Sequence, residues 1–166
     1  MTVLAVIPVL IILLLLQTTI AKEMTLLDGT VDLVLVWLAA WGLSTRDRSG
    51  YILAVVSGAL VAYITALPWY IYLSVYIAVI ILAKFVFNKL WESPLLAMFA
   101  ITMVSSILLY TLTYAGLRLN GVSYPFGITL NRVIIPSVFL NLFLAMPVYA
   151  IVKDFSGWLN RSEESA

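Results

Sequence analysis

Asp32 is the one acidic residue that falls within an apolar stretch of this chain, and it is the first place to look for chemistry. Acids inside apolar runs of membrane length are costly and often face a partner or an aqueous path, which makes Asp32 a candidate proton or ion site. At the start of a helix the same carboxylate has a plainer role, stabilised by the positive dipole end and by interfacial water. Asp28 lies four residues earlier and shares a helix face with it at best, thin material for a catalytic acid pair. Thr102, Ser106, Tyr110 and Thr113 step by four, four and three residues, which sets four hydroxyls on one helix face. Such a face either lines a ligand cavity or bonds to backbone carbonyls and neighbouring helices. Pro136, Asn141, Pro147 and Tyr149 crowd one apolar run near the chain's C-terminal end. Pro147 cannot donate to the carbonyl of Phe143, so a kink is expected there, and Asn141 can reach across to another helix. The run is a candidate hinge or docking groove, or a bend held by one amide.

Ala54, Gly58, Ala62 and Ala66 recur every fourth residue and form a stripe of small side chains. The stripe lets a second helix approach closely, either within the bundle or from a partner. Lys84, near the end of its apolar run, is placed to snorkel to lipid headgroups. The sequence contains no Cys and no His. Thiol chemistry, disulfides and the usual zinc ligands are thereby excluded, and general acid–base chemistry loses its commonest side chain. Neither a catalytic site nor a metal or cofactor site is expected, because no cluster of His, Asp, Glu or Lys falls within a helical turn or two. Nine basic and eight acidic residues, nearly all in loops or at helix ends, give neither a nucleic-acid-binding nor a polybasic lipid-binding pattern.

The elements that must position these residues are membrane helices. The 166 residues are 64% hydrophobic and 10% charged, with a mean hydropathy of +1.12. That is more apolar surface than a water-soluble domain of this size can hide. A crossing takes roughly 20 apolar residues. The expected fold is therefore an all-α membrane protein, a compact single-domain bundle of about six spans. They are expected over residues 3–21, 26–43, 50–67, 70–87, 94–117 and 133–152. The first is read as a retained helix, since no basic leader and small-residue cleavage site marks a signal peptide. The second is short, so its crossing must recruit residues from about Leu26, which carries Asp32 into the membrane boundary. From Tyr51 to Phe87 the only charge is Lys84, and a single helix of that length would reach about 55 Å, nearly two bilayers. Leu67-Pro68-Trp69-Tyr70 supplies the break of a tight hairpin. Ser93 and Pro94 suit the cap and first turn of the fifth span. Asn120–Asn131 is expected to form an ordered external loop, and Lys153–Arg161 an interfacial segment. Placing both termini in the cytoplasm leaves Arg46, Arg48, Lys84, Lys89, Lys153 and Arg161 inside, against Lys22, Arg118 and Arg132 outside. The positive-inside rule favours that orientation.

In order along the chain, several of these features resemble the rod shape-determining protein MreD family of bacteria. They are the Leu/Ile-rich first helix ending in Gln17-Thr18-Thr19, Val31-Asp32-Leu33 opening the second, Gly50 and Gly58 in the third, and Pro136, Asn141, Pro147 and Tyr149 in the last. The pattern departs at Ala62, where that family often has an acid. The resemblance implies a non-enzymatic inner-membrane component of the cell-elongation machinery. It would bind the single-span protein MreC, and through it RodA, PBP2 and the filament protein MreB. Proteins of that family are also similar in size and helix count to the substrate-binding subunits of energy-coupling-factor vitamin transporters. The rival expectation is thus a small-molecule-binding subunit, with a pocket between the fifth span and the Asn120–Asn131 loop.

Overall fold

A computed structural model describes residues 2–19, 23, 25–45, 48–65, 67–89, 93–122 and 124–164. Its helices are α1 (Thr2–Thr19), α2 (Leu33–Ser44), α3 (Ser49–Ile64), α4 (Trp69–Lys89), α5 (Pro94–Leu119), the short α6 (Phe126–Thr129) and α7 (Ile135–Glu164). A π-helical turn, Leu130–Ile134, joins α6 to α7 in one continuous rod, giving six helical rods and 86% helix among the described residues. Three rods, Trp69–Phe87, Pro94–Leu119 and Phe126–Leu159, are long and apolar enough to cross a membrane; α1, α2 and α3 are shorter apolar helices.

The break expected at Pro68 is present. Helix α3 ends before Thr65 and α4 begins at Trp69, and the two lie against each other as a hairpin. Pro94 occupies the first turn of α5, although the Ser93 hydroxyl makes no capping bond.

Two spans differ from expectation. The second does not begin near Leu26. Strands β1 (Thr25–Leu26) and β2 (Gly29–Thr30) pair antiparallel around Leu27-Asp28, and helix starts only at Leu33. The physical reason is Asp32, whose extended backbone and carboxylate cap the helix from outside its first turn. At 12 residues, α2 is about 18 Å long, too short for a bilayer core. The sixth span starts earlier and ends later than residues 133–152. Residues 126–164 are helical throughout, so the connection expected over Asn120–Asn131 ends before Phe126. The Lys153–Arg161 segment prolongs α7 because Phe155 packs at 6.3 Å and 6.2 Å, between ring centroids, from Trp37 and Trp41.

Helix α2 is the centre of the bundle and packs against α1, α3, α4, α5 and α7. Every residue from Val34 to Leu43 is buried, as an apolar helix without a polar face must be. Outward faces of the surrounding helices are apolar too, for example at Leu96, Phe139 and Phe143, which suits lipid as the outer solvent.

The small-residue stripe faces inward. Ala54, Gly58 and Ala62 are buried, and a Cβ added at Gly58 would stand 3.0 Å from the Leu73 Cα of α4. Ala66 lies outside the described residues. Lys84 places its Nζ 4.9 Å from the centre of the Tyr51 ring, linking α4 to α3. Because the neighbour at Gly58 is backbone, Gly58→Leu should force α3 off α4 and lower stability by about 1–3 kcal/mol. Thermal unfolding in detergent checks this against Gly157→Ala in α7, whose added Cβ meets nothing within 4 Å and which should raise stability by about 0.5–1 kcal/mol.

Candidate functional site

A helix that starts inside a bundle brings unsatisfied backbone N–H groups with it, and each needs a partner where water is scarce. At the start of α2 the partners are side chains from three parts of the chain. The Leu35 amide donates to Asp32 Oδ1 at 2.9 Å. The Leu33 amide donates to Gln17 Oε1 of α1 at 2.7 Å, and the Asp32 amide to Asn141 Oδ1 of α7 at 2.8 Å. With its oxygen so engaged, the Gln17 side chain has its NH2 to offer the Asp32 carboxylate, and the Val34 amide also lies close enough to donate. Asn141 then donates through Nδ2 to Ser106 Oγ of α5 at 2.9 Å.

Asp32 itself is buried, 3% exposed. Tyr76 of α4 donates its hydroxyl between the two oxygens, 3.0 Å from each. Hydrogen bonds and the positive end of α2 thus replace the water this acid gives up. Asp32 is joined to α1, α4, α5 and α7 within two bonds.

The hairpin ahead of Asp32 is fixed in the same manner. Pro136 has no N–H, so the Arg132 carbonyl four residues earlier loses its usual helical donor. The Asp28 amide fills the position at 3.1 Å, and the helix opens into the π turn at the same place. Thr30 donates its amide to Ser137 Oγ at 3.0 Å, and Tyr110 donates to the Thr30 carbonyl at 2.6 Å. Gly29 has to be glycine here: an added Cβ would fall 2.7 Å from the Ser137 nitrogen and 2.8 Å from Pro136 Cβ. The turn residue Leu27 has φ 57°, a left-handed conformation unusual for a branched side chain.

Asp32, Asn141 and Pro136 therefore meet in one cluster, as do Ser106 and Tyr110 from the polar face of α5. Thr113 lies further along that face beside a cavity, and Thr102 is buried with no hydrogen-bond partner for its Oγ1. Pro147 is exposed, and the helix continues through it. Tyr149 is buried but sits eight residues beyond Asn141, about 12 Å along α7, beside Leu43 and Phe87. Of the stripe of Ala54, Gly58 and Ala62, all buried, Gly58 packs directly on Leu73 of α4.

No protein-family model, curated protein or solved structure matches this chain. Its chemistry is read from the cluster alone. One carboxylate stands among hydroxyls and amides, and no three acids come together among the described residues. The groups are mutually satisfied, so what the arrangement does is hold five segments in one register.

Sequence reasoning missed Tyr76, Gly29, Thr30 and Ser137. Tyr76 is one of several tyrosines in an apolar run and nothing local marks it. For the others a signal existed: Asp28-Gly29 is turn chemistry, and a small hydroxyl residue follows Pro136.

Replacing Asn141 by Leu should orphan the Asp32 amide and the Ser106 hydroxyl, costing about 1–3 kcal/mol for each buried group. Ser106→Ala takes the acceptor from a single buried donor, Asn141 Nδ2, and should cost about 1–3 kcal/mol, less than the two groups orphaned by Asn141→Leu. Detergent unfolding of the two variants measures the order. Equal losses would mean that the α2 terminus is not the centre of the network.

Proposed function

We propose that the protein is a non-enzymatic, multi-pass scaffold of the bacterial inner membrane, of the MreD type. In this reading it crosses about six times with both termini in the cytoplasm, the second crossing being made by α2 together with the hairpin before it. It holds MreC, and through MreC it acts on RodA, PBP2 and the MreB filament to help regulate lateral peptidoglycan synthesis and cell shape. The observation that carries the reading is the convergence of residues bearing the resemblance. Gln17, Asp32 and Asn141 come from the first, second and last helices, and they jointly satisfy the start of α2. Pro136 receives the hairpin beside them. Short motifs scattered along an apolar chain thus have a shared physical task, which is what a family pattern of structural origin would contain.

Work by binding also suits the distribution of polarity. The polar groups around Asp32 bond to one another, and the outer faces offer apolar contact. With Gly58 of the α3 stripe packed on α4, one apolar surface open to a partner helix is the α5–α7 groove lined by Phe99, Phe139, Leu142, Phe143, Met146 and Pro147. A single-span helix can lay an apolar ridge into such a groove.

Gentle extraction of the tagged protein from its host, followed by mass spectrometry, tests the proposal. MreC should be retained in about stoichiometric amount. Phe143→Ala combined with Met146→Ala should reduce that retention severalfold while the folded yield is unchanged. Retention of ATP-binding-cassette subunits with a bound vitamin would overturn the proposal in favour of the energy-coupling-factor reading. Loss of MreC from an intact wild-type preparation would overturn it as well.

A further inference from the structure

Beside the hairpin lies a cavity of about 390 Å³ between the end of α5 and the α6–π turn. That volume is in the range of sites that enclose a small ligand or the end of a larger one. Its walls are apolar and aromatic, formed chiefly by Tyr110, Tyr114, Leu117, Tyr124, Ile128 and Val133. The hydroxyls of two wall tyrosines are already committed. Tyr110 donates to the Thr30 carbonyl, and Tyr114 donates to the Tyr124 carbonyl at 3.2 Å. These rings therefore offer faces rather than donors to whatever enters.

The rim is different. Asp28 and Arg132 stand there 3.9 Å apart, with 62% and 67% of their side chains exposed. At that separation and exposure the pair holds Arg132 weakly. Arg118 gives Nη1 to the Tyr114 hydroxyl at 3.0 Å and lies 5.9 Å from the same ring. A guanidinium carries five N–H donors in a fork that matches a phosphate or carboxylate. The cavity thus has a largely apolar interior and the Arg132 guanidinium in its lining, with Arg118 held nearby on the wall residue Tyr114. Both features lie where α5 ends and the chain turns, among Tyr114, Tyr124 and Phe126, the kind of aromatic girdle that marks a membrane–water boundary.

We infer that this cavity binds an anionic membrane amphiphile, its apolar chain among the tyrosines and its phosphate on Arg132 and Arg118. A free anion would gain only the exposed Arg132 at the rim and little from the largely apolar interior, so it should bind weakly. A zwitterionic lipid with the same chains gains less at the rim, because its own cation offsets the arginines. The inference is independent of the scaffold reading and stands on the cavity alone.

Native mass spectrometry of the full chain in neutral detergent tests it, with phosphatidylglycerol, phosphatidylcholine and inorganic phosphate as probes. Phosphatidylglycerol should bind about tenfold tighter than phosphatidylcholine, the size expected for a charge-assisted hydrogen bond. Arg132→Gln should remove most of that preference. Ile128→Trp, at an exposed wall position, should fill the cavity and weaken phosphatidylglycerol binding while the unfolding temperature holds. Equal binding of the two lipids by the wild type would overturn the inference. So would a preference that survives Ile128→Trp, which would place the lipid on the outer surface. Competition by inorganic phosphate at concentrations comparable to the lipid would show that the apolar chain contributes nothing, and would overturn it too.

Discussion

The structure turns on a helix that begins inside the protein. Helix α2 starts at Leu33, surrounded by five other helical segments, and its first amides point into space that the bulk solvent does not reach. In a bilayer a free N–H costs several kcal/mol, so an internal helix start survives only if every donor is met. Asp32, Gln17 and Asn141 meet them, and each belongs to a different part of the chain. The requirement is local, yet satisfying it fixes the depth of α1 and α7 against α2. Tyr76 extends the same constraint to α4 and Ser106 extends it to α5.

A second defect is matched to a third in the hairpin. Pro136 leaves one carbonyl of the last rod without its donor, and a strand residue has an amide that must be buried or hydrated. The Asp28 amide and the Arg132 carbonyl resolve each other. Removing the proline alone would return the Arg132 carbonyl to its helix and strand the hairpin amide. Gly29 allows the approach that this pairing needs, since any Cβ there would overlap the Pro136–Ser137 turn. The π turn, the proline, the glycine and the hairpin are one arrangement.

Much of this was legible in the residues, and the limits have physical causes. Apolar run length, with Pro68 and Pro94 as punctuation, placed the helix boundaries from α3 to the start of α5 within a few residues. It failed at Leu26 because run length counts apolar residues whatever their backbone does, and Asp28-Gly29 with Asp32 redirected the chain into a hairpin and a cap. It failed again at residue 133, since the Gly and Pro of the preceding loop suggest irregular backbone where Phe126 onward is helical. Of the cluster, Asp32, Asn141 and Pro136 stood out because polar and proline residues are conspicuous in an apolar run. That they meet was not legible, because contacts between residues so far apart in the chain leave no local trace. The inward direction of the Gly58 stripe was open for the same reason: small residues permit close approach without naming the neighbour.

Helix α2 also shows why a membrane bundle needs such a cluster. Lipid is as apolar as a leucine side chain, so burial by itself does little to choose one helix rotation over another. A helix buried on all sides lacks even a polar face to set its angle. Its two ends must do so. At one end the Asp32 cap and its partners define rotation and depth. At the other, Trp41 donates its indole N–H to Ser49 Oγ at 3.1 Å while its ring and that of Trp37 meet Phe155 of α7. Twelve residues held at both termini by directional contacts have one setting rather than several. The outer helices then pack around a fixed axis, and the shape of the grooves between them is inherited from it.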